Sequence, residues 1–115
     1  MALKLATRDV NGVTVVEAHG RIVLGEETNT LRESTKELLA NGSKKIVLNL
    51  AGVDFIDSSG LGALVGLHST AGAQGAQIRL ASITKRFHEL LQITKLLTVF
   101  DVYDSEEAAI NSFAA

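Results

Sequence analysis

From Ser58 to Ile78 the chain carries no Asp, Glu, Lys or Arg, a charge-free run about as long as a membrane span. Such a run either crosses a bilayer or is buried inside a folded protein. Gly60, Gly62, Gly66, Gly72 and Gly75, with Gln74, Gln77, His68 and several hydroxyls, cut it into apolar pieces far too short for a bilayer core. The expectation is therefore a helix packed within a domain, with no membrane association.

The entry to that helix is the second constraint. Asp54-Phe-Ile-Asp57-Ser58-Ser59-Gly60-Leu61-Gly62 ends a strand-like run in a carboxylate and two hydroxyls. An Asp or Ser before a helix accepts hydrogen bonds from first-turn amides, and those amides together with the helix dipole also favour an anion. One side chain suffices for a cap, so Asp57, Ser58 and Ser59 together exceed the structural need. A phosphoryl group on either serine would suit the position. It would add about −1.5 to −2 charge, partly stabilised by the amides and opposed by Asp57, and would fall on whatever docks over that turn.

Around this motif the chain reads as alternating strands and helices. Leu3–Thr7 and Val13–Glu17 alternate in polarity and flank Asn11-Gly12, a dipeptide suited to a tight hairpin turn. Ile22-Val-Leu24 follows Gly20 and is expected to extend the same sheet before a turn at Gly25. Glu26–Ala40 has helical spacing, with Leu31, Leu38 and Leu39 on one face, acidic residues at its start and Asn41-Gly42 as its stop. Ile46-Val-Leu48-Asn-Leu50 is nearly continuous in apolar residues, as in a strand covered on both faces. Gln77–Leu80 reads as a strand, Ile83, Phe87, Leu90 and Leu91 as one helical face, and Thr98–Val102 as a short edge strand. Asp104 followed by Glu107 gives a capping-box-like start to a last helix within Ser105–Phe113.

The fold class expected is α/β: a single layered domain over 1–115, about four helices, and a mixed sheet with an N-terminal β-hairpin and central parallel strands. At 115 residues and 46% hydrophobic content the chain can bury one core and not two. Within the serine-motif helix, Gly62, Gly66, Ser69 and Ala73 form a narrow face open to close approach by the sheet or another protein. Leu61, Leu64, Val65 and His68 form an apolar surface that could serve a second copy, giving a homodimer, as readily as another partner.

Several chemistries are disfavoured. Net charge is −2 with Lys and Arg scattered, so no basic stripe points to nucleic acid. Cysteine is absent, which removes disulfides and thiolate metal sites, and the N-terminus does not resemble a secretory signal. A cytoplasmic location follows by default. A nucleophilic serine would need a positioned base. His68 lies about three turns from Ser58, His19 and His88 are on other elements, and Gly-x-Ser-x-Gly is missing around Ser58. No catalytic residue, metal site or cofactor is expected; Gly72-Ala-Gln-Gly75 lacks the lysine and hydroxyl of a phosphate loop.

Asp57-Ser58-Ser59-Gly60-Leu61-Gly62, preceded by Lys45–Leu50, resembles bacterial anti-sigma factor antagonists of the STAS domain family. The Asn11-Gly12 hairpin, a turn at Gly20 and the late Ile93-Thr94-Lys95-Leu96-Leu97 segment extend the resemblance over nearly the whole chain. It implies a non-enzymatic switch protein that binds an anti-sigma factor, usually a serine kinase, and so frees a sigma factor for transcription. By position the phosphorylated serine would be Ser58, reversed by a phosphatase, with Asp57, Ser58, Ser59, Gly60, Leu61 and Gly62 as the partner-binding turn. This chain has Arg21-Ile-Val23 where an acidic residue is common in the family, and Lys95 where glycine commonly lies. The second reading is a STAS-like scaffold or transporter-associated subunit in which Ser58 only caps a helix and the partner is constant.

Overall fold

The hairpin forms where two consecutive residues tolerate positive φ: Asn11 has φ 54 and Gly12 φ 84, the pairing a two-residue primed turn requires. Asp9 accepts a hydrogen bond from the Gly12 amide at 3.0 Å, and Val10 then faces Val13 across the ladder. A computed structural model describes residues 3–23 and 25–113. The hairpin joins β1 (Lys4–Val10) to β2 (Val13–Ile22). Gly20, expected as a turn, instead lies inside β2 at φ 119, where the pairing register with the next strand shifts. The extra residue at this shift is Asp54 of β3, between the Gly20–Val53 and Arg21–Phe55 pairs, and β2 continues past Gly20 to Ile22 without ending. No separate third strand occupies 22–24 among the described residues, and Leu24 lies outside them.

α1 (Glu26–Ala40) has the bounds expected from its spacing, with Glu26 and Glu27 in the first turn and Leu31 and Leu39 buried. Its start lacks a side-chain cap; the Thr28 hydroxyl donates back to the Gly25 carbonyl at 3.0 Å instead. At its end Gly42 has φ 94, and the amides of Ser43 and Gly42 donate to the carbonyls of Leu38 and Leu39. This paired closure in the left-handed conformation satisfies carbonyls that would otherwise be orphaned. β3 (Lys45–Ile56) leads into α2 (Ser58–Ala73), which closes in the same way through Gly75, and then into β4 (Gln77–Ala81).

α3 (Lys85–Ile93) is capped by Thr84, whose hydroxyl accepts from the Phe87 amide at 3.2 Å. Its far end repeats the α1 closure, with the amides of Leu96 and Lys95 donating to the carbonyls of Leu91 and Gln92. Here the left-handed residue is Lys95, at φ 61. An L side chain in that conformation costs roughly 1–2 kcal/mol that glycine avoids. Lys95→Gly is accordingly expected to stabilise the domain by about 1 kcal/mol, seen as a higher urea midpoint with an unchanged slope.

Two boundaries near the end differ from the sequence expectation. The edge strand β5 is only Val102–Tyr103, because Val99 turns back to the Leu96 carbonyl and Phe100 is drawn into the core. The helix α4 (Glu106–Asn111) is capped by Ser105, which accepts from the Ala108 amide at 3.0 Å, and not by Asp104. A serine one residue nearer the helix reaches the third amide, so Asp104 is displaced from the capping position.

The sheet order is β1-β2-β3-β4-β5, antiparallel for the first pair and parallel for the others. One face buries Ile46, Leu48, Leu50 and Leu80 against Leu31, Leu61, Leu64, Leu67, Phe87 and Leu91 of α1, α2 and α3. The opposite face buries Val13, Val15, Val47 and Ala81 beneath Ala109 of α4. The mixed sheet and helix placement agree with the fold class expected. Of the apolar helix surface that could serve a second copy, Leu61 and Leu64 are buried in the core, while Val65 and His68 are half-buried. Conversely Gly62, Gly66, Ser69 and Ala73 face solvent, with open space around Gly62 and Gly66.

Candidate functional site

The motif sits where β3 ends and α2 begins, held by a contact with β2. The Asp57 amide donates to the Ile22 carbonyl at 3.2 Å, which pins the start of α2 to the last residue of β2. The Asp57 carboxylate accepts from the Gly60 amide at 2.7 Å, and its backbone carbonyl accepts from Leu61 at 2.9 Å. Asp57 is thus the helix cap, with extended φ −101 and ψ −178. The same packing explains Gly60. A Cβ there would overlap the Ile22 carbonyl oxygen and stand 2.8 Å from Ile22 Cγ2, so only glycine lets helix and strand approach this closely.

With the cap supplied by Asp57, Ser58 is the first helical residue and lies exposed. Among the described residues its hydroxyl has no hydrogen-bond partner, so the fold does not use it. Ser59 and Asp57 are half-buried and Gly62 is exposed. Gly60 and Leu61 are buried, Leu61 only 3% exposed, and lie beneath the turn.

None of the histidines is joined to Ser58 by a hydrogen bond among the described residues. His68 packs its ring edge against Phe100, with centroids 5.5 Å apart and an interplanar angle of 81°. His19 lies on β2 over Gly52, and His88 is exposed on α3. Among the described residues no cluster of His, Cys, Asp or Glu is placed to hold a metal ion, and no helix is long and apolar enough to cross a membrane.

One element of the site escaped the sequence reading. Phe55 is 38% exposed, and the Arg21 guanidinium lies over its ring, 5.4 Å from the centroid. The two are direct neighbours in the parallel pairing of β2 with β3, one step before the Ile22–Ile56 pair that borders the cap. The available signal was Phe55 itself, an aromatic between Asp54 and the buried Ile56. Its partner could not be read because the register depends on the extra β3 residue opposite Gly20 and Arg21.

The chain matches the family described as the STAS domain over residues 4–109. It is 30% identical over 80 residues to the anti-sigma-B factor antagonist of Bacillus subtilis, covering 70% of this chain and 72% of that protein. It is similar at 24% identity over 110 residues to the anti-sigma F factor antagonist of Paenibacillus polymyxa, covering 96% and 94%. The fold is similar to the crystal structure of an anti-sigma factor antagonist from Mycobacterium paratuberculosis, with a TM-score of 0.85 at 20% identity over 99% of this chain and 96% of that one.

Proposed function

Because the chain belongs to the STAS domain family, we propose that it acts as an anti-sigma factor antagonist switched by phosphorylation of Ser58. In its unphosphorylated form it binds an anti-sigma factor that is a serine kinase, and a sigma factor is released for transcription. The kinase places a phosphate on Ser58 and a phosphatase removes it. The protein is itself a binding module of the cytoplasm and not an enzyme. The relatives named as antagonists support the role. The observation that carries the switch is the exposed Ser58 hydroxyl on a helix start already capped by Asp57.

A phosphate there meets the positive end of the α2 dipole, which favours it, and the Asp57 carboxylate, which opposes it. Since Ser58 is exposed and its hydroxyl makes no hydrogen bond among the described residues, the charge acts on a docked partner and leaves the domain intact. Asp57, Ser58, Ser59 and Gly62 would present that turn, with Gly60 and Leu61 holding it from below.

Each anti-sigma factor kinase of the source organism, purified and incubated with the protein and ATP, provides the test. A phosphopeptide containing Ser58 is expected, and Ser58→Ala is expected to remain unlabelled. Ser58→Asp is expected to weaken binding to that kinase about tenfold in calorimetry, the loss of one good interfacial contact, with its thermal unfolding unchanged. Labelling of Ser58→Ala equal to the parent would remove Ser58 from the switch.

A further inference from the structure

The turn at Ser58 is bordered by a cation whose position the fold fixes. Arg21 and Phe55 are both exposed, and the guanidinium rests 5.4 Å from the centre of the Phe55 ring. No ion pair engages Arg21 among the described residues, whereas Arg8 is paired with Glu106 and Arg79 lies near Asp101. The neighbouring Asp54 lines a small crevice together with Thr84, Arg86 and Phe87, so a second cation stands on its side. Phe55 lies three residues before Ser58, which limits the separation of their Cα atoms to about 11 Å. The surface beside the switch therefore offers a planar cation held on an aromatic ring.

We infer that Arg21, stacked on Phe55, is a specificity-determining contact that takes a carboxylate side chain of the anti-sigma partner, an inference that rests on the reading of Ser58 given above. A guanidinium forks onto a carboxylate through two parallel hydrogen bonds, and a ring that restrains it lowers the entropy lost on pairing. The same arrangement supplies the switch with its sign. A partner carboxylate is drawn to Arg21 while Ser58 is unmodified, and a phosphate on Ser58 adds negative charge to the same end of the β2–β3 pair, which opposes that carboxylate. A partner presenting a basic group at this point would be opposed by Arg21 before phosphorylation and attracted after it, the reverse of the antagonist's cycle.

Calorimetry of the full chain with each purified anti-sigma factor kinase of the source organism tests this, comparing the parent, Arg21→Glu and Arg21→Lys on the kinase that binds. Arg21→Glu is expected to weaken binding about tenfold or more. Arg21→Lys is expected to lose a few-fold, since it keeps the charge but not the planar fork. Exchanging the facing partner carboxylate for lysine is expected to restore the affinity of Arg21→Glu. Equal binding by the parent and a folded Arg21→Glu overturns the inference and leaves the Ser58 reading standing. Binding of the parent to none of the kinases overturns the Ser58 reading, and this inference with it. Self-association of the parent in sedimentation, abolished by Arg21→Glu, assigns the surface to a second copy and overturns it too.

Discussion

Gly60→Ala is expected to destabilise the domain by about 3 kcal/mol, because overpacking against an immovable backbone sits at the upper end of such costs. The added methyl meets the Ile22 carbonyl oxygen, which already accepts from the Asp57 amide. Relief requires moving α2 away from β2, which breaks that hydrogen bond and opens the core beneath Leu61. Gly62→Ala, on the same helix, has nothing within reach of the new methyl. It is expected to stabilise by about 1 kcal/mol, the helix propensity difference between glycine and alanine. Thermal unfolding followed by circular dichroism separates the two: at roughly 4 °C per kcal/mol for a domain of this size, Gly60→Ala melts about 12 °C lower and Gly62→Ala about 4 °C higher. A pair of shifts with the same sign would contradict the packing described at the start of α2.

The second large effect is expected at Arg79. Its guanidinium stacks 4.0 Å from the centre of the Phe113 ring, donates to the Ser112 hydroxyl at 2.6 Å and donates to the Gln77 side chain at 2.7 Å. These contacts secure the far end of α4, whose near end is held by Glu106 bonded to Arg8 and Asn49. A helix as short as Glu106–Asn111 has no independent stability and relies on such attachments. Arg79→Ala is expected to cost about 2 kcal/mol, from a cation–π contact and hydrogen bonds at a mostly buried site. Amide exchange should quicken in α4, and limited proteolysis should cut there first. Arg79→Lys should recover only part of the loss, since an ammonium cannot stack and fork at once.

The elements that could be read from sequence are those whose signals are local. Glu26–Ala40 and the Asn11-Gly12 hairpin carry their own periodicity, stop residues and turn chemistry, and the structure places them as expected. The order of strands and helices follows from the same signals. Where the outcome depended on distant partners, the sequence was silent or misleading. Thr98–Phe100 has strand-like residues but is closed into a turn, because β4 pairs with the edge only through Leu80 and Ala81. Gly20 looked like a turn since a glycine does not show whether a neighbouring strand will pair with it, as β3 does through Val53. Leu61 and Leu64 looked available to a second copy because periodicity reveals an apolar face but not what covers it. At the site, a helix starting at the Asp57-Ser58-Ser59 cluster was legible from spacing, whereas which of the three side chains caps it, the burial of Gly60 and the stacking of Arg21 on Phe55 required the structure.

The sheet's spatial order, β1 to β5, repeats the order of the chain. Each strand can therefore join the open edge left by the one before it, and none has to enter between two that have already paired. During synthesis the domain can grow from one side, as the ribosome delivers it. The hydrogen bond that pins the start of α2 joins the ends of β2 and β3, and neither of the last two strands takes part in it. α4 arrives last and closes the remaining face through Arg79 and Glu106.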